Sequence, residues 1–194
     1  MGITSVPTGE IATIVTYLDM RERPRPAPMP SSTLKLKRWS TVDCDKYRAL
    51  FTRVGAPWLW FSRLVLDDAT RGEILGDPGV EAYAVEDPQR IEVGMLELDF
   101  RQPGDCEIGY FGLVPEATGQ GHGGWLMAQA LASAWRAGID RVHLHTCTLD
   151  HPVALGFYIA SGFTPRGCAI ETFADPRLIG LLPRDSAPQI PLLG

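Results

Sequence analysis

Residues 107–126 read EIGYFGLVPEATGQGHGGWL, and the fold turns on this stretch. The segment from Glu107 to Leu113 reads as a strand, Val114-Pro115 as a turn, Gly119–Gly124 as a glycine loop and Trp125-Leu126 as the opening of a helix. Such a loop aims several backbone N–H groups and the positive end of a helix dipole at one point. The ligand it suits is an anion, a phosphate or pyrophosphate.

The helix after the loop runs from Gly121 to about Ala137, and Gly138 stops it. Gln129, Ser133 and Arg136 form one polar stripe while Trp125, Leu126, Met127, Ala130, Leu131, Ala134 and Trp135 cover the rest, so the pattern predicts a largely buried helix. Arg141–Thr148 then reads as a strand, Asp150 to about Ser161 as a helix ended by Gly162, and Phe163–Phe173 as a last strand. Pro152 is tolerated in the first helical turn, where its missing N–H costs nothing.

Upstream, Glu81–Val85, Ile91–Phe100 and Cys106–Val114 are three strands joined by short polar turns, the signature of an antiparallel meander. Further back lie a strand at Ile11–Met20, a Pro-rich connector at Arg21–Pro30 and a strand at Leu34–Lys37. A helix capped by Ser40, Thr41 or Asp43 runs to about Val54, with Gly55 and Pro57 as its stop. The aromatic segment Trp58–Arg63 precedes a short helix that starts at Asp67 or Asp68. The tail after Asp175 reads as an irregular Pro-rich arm.

At 194 residues, with 45% hydrophobic and 21% charged, the chain is expected to form one globular domain over residues 1–194. A net charge of −5 argues against a nucleic-acid partner, which basic patches bind. No apolar run reaches the ~20 residues of a membrane span and no basic-then-apolar leader opens the chain, so a cytoplasmic protein without a membrane partner is expected. Cys44, Cys106, Cys147 and Cys168 lack CxxC spacing and read as reduced structural thiols.

The loop lacks the Gly-Lys-Ser/Thr ending of a P-loop, and no acidic residue ends the next strand as a dinucleotide fold would require. A second motif narrows it. Gly121-His-Gly123 follows the Val114-Pro115 turn, and Ala154-Leu-Gly-Phe-Tyr-Ile-Ala-Ser-Gly-Phe163 comes one strand later. Together these resemble the GNAT N-acetyltransferase superfamily. Its phosphate loop is Gln/Arg-x-x-Gly-x-Gly/Ala before a helix, and its later signature is Asn-x-x-Ala-x-x-x-Tyr with a Gly-Phe pair. The resemblance covers residues 80–165, with the part before it matching only in element order. Thr118 stands where the family has Gln or Arg, and His151 where it has Asn.

The resemblance implies an α/β (α+β) fold: a mixed, mostly antiparallel central sheet flanked by helices, with a parallel strand pair splayed around an acyl-CoA site. It implies acetyl-CoA as cofactor and a small-molecule or peptide amine as acceptor. Thr118, Gly119, Gln120, Gly121, His122, Gly123 and Gly124 would hold the pyrophosphate, and Phe111, Gly112 and Leu113 the pantetheine. His151 and Ala154, at the start of the second helix, would also bind the cofactor. Tyr158 matches the tyrosine that protonates the leaving sulfur. Glu107 is the candidate base, with burial expected to raise its pKa. Glu97 and Asp99 are alternatives, and many members of the family use a water chain instead. Trp58, Trp60, Phe61, Arg63 and Glu97 are candidates for the acceptor cleft.

His143, His145 and Cys147 alternate onto one strand face without a fourth ligand, so they read as packed or hydrogen-bonded residues and no metal is expected. Two other functions compete: a non-catalytic acyl-CoA-binding or sensor module of the same fold, and a thiol enzyme using Cys106 or Cys147. A homodimer formed through a sheet edge or the Pro-rich arms is open.

Overall fold

The computed structural model describes residues 2–41 and 43–194. Among these, seven strands form one sheet: β1 (Glu10–Met20), β2 (Lys35–Arg38), β3 (Val80–Glu86), β4 (Glu92–Asp99), β5 (Asp105–Leu113), β6 (Arg141–Cys147) and β7 (Thr164–Ala174). Four α-helices pack on it: α1 (Cys44–Gly55), α2 (Asp68–Gly76), α3 (His122–Ala134) and α4 (Ala154–Ala160). The strand order is β2-β3-β4-β5-β6-β1-β7. Only β5 and β6 run parallel; the other neighbours are antiparallel. The expected fold class and the β3-β4-β5 meander are both present.

Local chemistry sets the element ends. Asp43 caps α1 by accepting from the Asp45 and Lys46 amides, and Asp67 caps α2 by accepting from Thr70. The α3 helix ends at Ala134, earlier than expected, because Trp135 (ψ 80°) leaves the helical region and its N–H closes on Leu131 O. The α4 helix starts at Ala154 rather than Asp150. The Asp150 carboxylate instead accepts from Thr146 Oγ1 (2.7 Å) and the Cys147 amide (2.9 Å), turning the chain at the end of β6.

β1 has no place that local sequence could give it. It inserts between β6 and β7 and pairs antiparallel with both, Tyr17 opposite His145 on one side and Ile14 opposite Ile170 on the other. β7 is left as an edge, exposed along most of its length.

Two faces follow from strand alternation. Glu97, Tyr110 and Gly112 point to the side where α1 lies: Tyr47 touches Glu97, and a Cβ on Gly112 would stand 2.7 Å from Val54 Cγ1. Phe111 points to the other side, where it stacks on Phe157 of α4. The core fills the space between, with Leu96, Leu98, Leu126, Ala130 and Val142 fully buried.

Candidate active site

The site begins where β5 and β6 part. Their ladder runs from Asp105↔Arg141 to Glu107↔His143 and no further. Beyond it, β5 carries a bulge: Glu97 pairs with Tyr110 and Leu98 with Ile108, leaving Gly109 as the extra residue. The stretch Ile108–Leu113 therefore pairs with β4 but has no ladder toward β6, and the backbone groups on that edge face the opening, where a ligand could take them.

On the α1 side the segment between α1 and α2 lies across this opening. Trp60 packs on Phe51 (5.6 Å) and Tyr110 (5.5 Å), and its indole N–H donates to Asp150 Oδ1 at 3.2 Å. Its seat exists because two neighbours lack side chains: a Cβ on Gly55 would meet Trp60 at 2.5 Å, and one on Gly112 at 3.1 Å. Leu59, between the two tryptophans, is held in the left-handed region (φ 56°) while its side chain is buried. Trp58 meets the His151 ring edge-on at 5.1 Å, and Phe61 stacks on Phe173 of β7 at 4.3 Å.

On the opposite side stand the glycine loop and Tyr158. Gly119 (φ 73°) and Gly121 (φ 82°) take left-handed backbone with open space around them, and α3 has no side-chain cap. Both α1 and α2 fill that place with aspartate; α3 leaves its first amides for another anion. The Thr118 amide and hydroxyl both donate to Pro115 O, and Gln120 Nε2 donates to Glu116 O. Those side chains fold back on the turn, so donors for a phosphate come from the backbone and from His122. His122 Nδ1 lies 2.9 Å from Ser32 Oγ, which also accepts from the Leu34 amide (3.1 Å). Tyr158 packs among Phe111, Phe157 and Phe163. Burial, and then the charge of Asp150, push its phenol well above the ordinary value.

Two expected carboxylates fall in different surroundings. Glu107 lies on the α1 side with Oε1 3.5 Å from His145 Nδ1. Its pKa is lowered, the reverse of the expectation: the His145 imidazole holds the carboxylate down and outweighs the burial that works upward. Glu97 is 0% exposed, with Oε1 accepting from Arg63 Nη2 (2.5 Å) and Oε2 from the Tyr47 hydroxyl (2.6 Å). Each carboxylate oxygen is already held by one protein donor, so Glu97 is buried beneath the Arg63 and Tyr47 side chains. Arg63 is bound to it: burial disfavours its charge, but Glu97 beside it keeps its pKa raised, its guanidinium lies 5.2 Å over the Tyr110 ring, and its buried Nε has no partner among the described residues.

The acetyltransferase (GNAT) family model matches residues 47–163, more than half of the chain, from α1 through the glycine loop to Phe163. The chain belongs to the GNAT acetyltransferase family. No curated protein matches it. Among solved structures it resembles a GCN5-related N-acetyltransferase from Sphaerobacter thermophilus (TM-score 0.62, 17% identity, 83% of this chain and 51% of that one). It also resembles a tandem GNAT protein from the clavulanic acid biosynthesis pathway (0.53, 21%, 84% and 53%). A third is a spermidine N-acetyltransferase from Vibrio cholerae (0.54, 17%, 77% and 98%). The chain spans about half the length of the first two of these.

GNAT members typically take acetyl-CoA as cosubstrate, and the groups present here suit it. The uncapped α3 amides and His122 fit a pyrophosphate, and the unpaired Ile108–Leu113 edge fits the amides of a pantetheine arm. His151 replaces the expected Asn without losing a turn contact, since its Nδ1 accepts from the Val153 amide at 3.3 Å; Ala154 N–H is spent on His151 O. Among the described residues, no group of three or more His, Cys, Asp or Glu could hold a metal, and no helix is long and apolar enough to cross a membrane.

Sequence reasoning missed four contributors. Asp150 was legible only as a helix start, and Ser32, between the Pro-rich connector and β2, carries no local signal at all. His145 joins Glu107 through a parallel register that no local pattern encodes. Arg177, 3% exposed, pairs with Asp175 and donates to the carbonyls of Ser186, Ala187, Ile190 and Pro191, folding the irregular arm onto the domain.

Proposed function

We propose that this GNAT protein is an acetyl-CoA-dependent N-acetyltransferase acting on a primary amine of a small molecule or on an exposed amino group. The observation that carries the reading is the splayed β5–β6 opening, flanked by an uncapped glycine loop and Tyr158 on one face and by Glu107 on the other. Bound acetyl-CoA would supply an activated acetyl thioester. The chain's own residues would do the rest. Backbone groups of Phe111, Gly112 and Leu113 would fix the arm and polarise the carbonyl. Tyr158, its proton firmly held at neutral pH, would serve as the general acid for the leaving sulfur, and Glu107 or an ordered water as the base. Trp58 and Trp60 would wall the acceptor cleft, where an aromatic surface suits a cation.

A non-catalytic acyl-CoA module remains the competing reading, favoured by the lowered pKa of Glu107. One experiment decides between them. Acetyl-CoA is incubated with the protein and a panel of primary amines that includes spermidine, because one structural neighbour is a spermidine N-acetyltransferase. Release of free CoA matched by an acetylated amine supports the enzyme. Binding of acetyl-CoA with no release for any amine supports the module.

A further inference from the structure

We propose that His145 is the group that takes the proton of the acceptor amine, and that Glu107 is the carboxylate that orients it. This rests on the N-acetyltransferase reading above and revises only the identity of its base. Glu107 faces His143 on the last rung before the strands part, so His145 is the first side chain of β6 on that face inside the opening. Its Nδ1 lies 3.5 Å from Glu107 Oε1, so Nε2 is the ring nitrogen left for the acceptor. That spacing is longer than a direct hydrogen bond of about 2.9 Å, and contacts of this kind tighten when substrate closes the site. The imidazole is half exposed and lies on the side of the sheet opposite Tyr158, so acid and base approach the opening from its two faces.

The charges around His145 agree. Glu107 on β5 is nearest; Asp150 after β6 and Glu171 on β7 add negative potential. Tyr17 of β1 stands across the rung at 6.2 Å, and His143 and Cys147 share the strand face. Glu107 first of all holds the imidazole above its ordinary pKa against the burial that opposes it. The same pairing makes Glu107 the weaker base of the two. An imidazole is the side chain whose titration falls nearest neutral pH, which suits it to take a proton there and pass it to solvent.

The step balances. Neutral His145 Nε2 takes one proton from the acceptor ammonium. The freed lone pair forms the C–N bond as the thioester C–S bond breaks, and the sulfur leaves with that electron pair and takes the Tyr158 proton. The nitrogen sheds a second proton as the amide forms, and this restores Tyr158 through solvent. One proton ends on the thiol and one, released from His145, in bulk water.

The test follows CoA release with spermidine and a panel of small primary amines from mildly acidic to alkaline pH. It is paired with calorimetry of acetyl-CoA and with an NMR titration of the His145 ring in the free protein. For the wild type, kcat/KM rises with pH through the His145 titration. His145→Ala, with His145→Gln as a second variant should the first not fold, lowers kcat/KM by about 10²–10⁴-fold and removes that limb. Glu107→Gln moves the NMR midpoint to lower pH and the kinetic limb with it, whereas a merely structural pair would move the midpoint and leave the limb in place. A wild-type pH profile in the His145 variants, or a ring midpoint unmoved by Glu107→Gln, overturns the proposal. If acetyl-CoA still binds and turns over in that case, only the role of His145 falls. If the wild type neither binds acetyl-CoA nor releases CoA, the enzymatic reading falls with it.

Discussion

The indole N–H of Trp60 donates to Asp150 Oδ1 at 3.2 Å, joining residues ninety positions apart across the gap between β5 and β6. The same carboxylate ends β6 through Thr146 and the Cys147 amide, so one side chain both turns the chain and fixes the aromatic cover of the site. Gly55 and Gly112 leave the room in which that indole lies.

Trp60→Phe keeps an aromatic ring on Phe51, deletes the hydrogen bond and removes the indole atoms that lie against Gly112. The expected result is a raised KM for the amine with the acetyl-CoA dissociation constant unchanged. The stability loss should be about 0.5–1.5 kcal/mol, plus the cost of leaving Asp150 Oδ1 without its donor. Steady-state kinetics and a denaturant titration check this, and an unchanged amine KM would remove Trp60 from the acceptor side.

Tyr158→Phe leaves the aromatic cluster with Phe111, Phe157 and Phe163 intact and takes away the proton donor. We expect kcat to fall by about 10²-fold or more, with little change in acetyl-CoA affinity. Equal kcat in the variant would mean that the leaving sulfur finds its proton elsewhere.

Ser32→Ala releases His122 Nδ1 from its only side-chain partner among the described residues. Loss of one such bond is worth about 0.5–1.5 kcal/mol, so acetyl-CoA should bind about 2- to 12-fold more weakly. Calorimetry reads this directly. An unchanged dissociation constant would show that the His122 ring does not serve the pyrophosphate.

Arg177→Ala strands the Asp175 carboxylate, 2% exposed, and frees the arm that Arg177 ties down. Breaking such a buried pair costs about 3–5 kcal/mol, which should appear as a clear drop in the urea midpoint. A midpoint like that of the wild type would mean that the arm contributes nothing to the fold.

Much of this was legible in the chain. The strand, glycine loop and helix around Gly121 announce themselves through local punctuation, and the motif ending at Tyr158 adds the second anchor. Element order and the β3-β4-β5 meander follow from periodicity. What escaped depends on distant register. The position of β1 between β6 and β7 is fixed by pairing with strands more than a hundred residues away. The Glu107–His145 contact exists because Glu107 faces His143 across a parallel rung. The expectation that burial would raise the pKa of Glu107 failed for that reason, since a neighbouring imidazole sets the sign. Glu97 was legible as a carboxylate near the cleft, and only the fold shows that Tyr47 and Arg63 hydrogen-bond it.

The central claim is that the opening between β5 and β6, with its uncapped α3 loop, holds acetyl-CoA for transfer to an amine. A calorimetric titration of the purified protein with acetyl-CoA tests it most directly. The account predicts saturable binding at one site per chain, weakened when His122 or Ser32 is changed to Ala. Absence of any binding heat up to millimolar acetyl-CoA, with the protein shown to be folded, would contradict it.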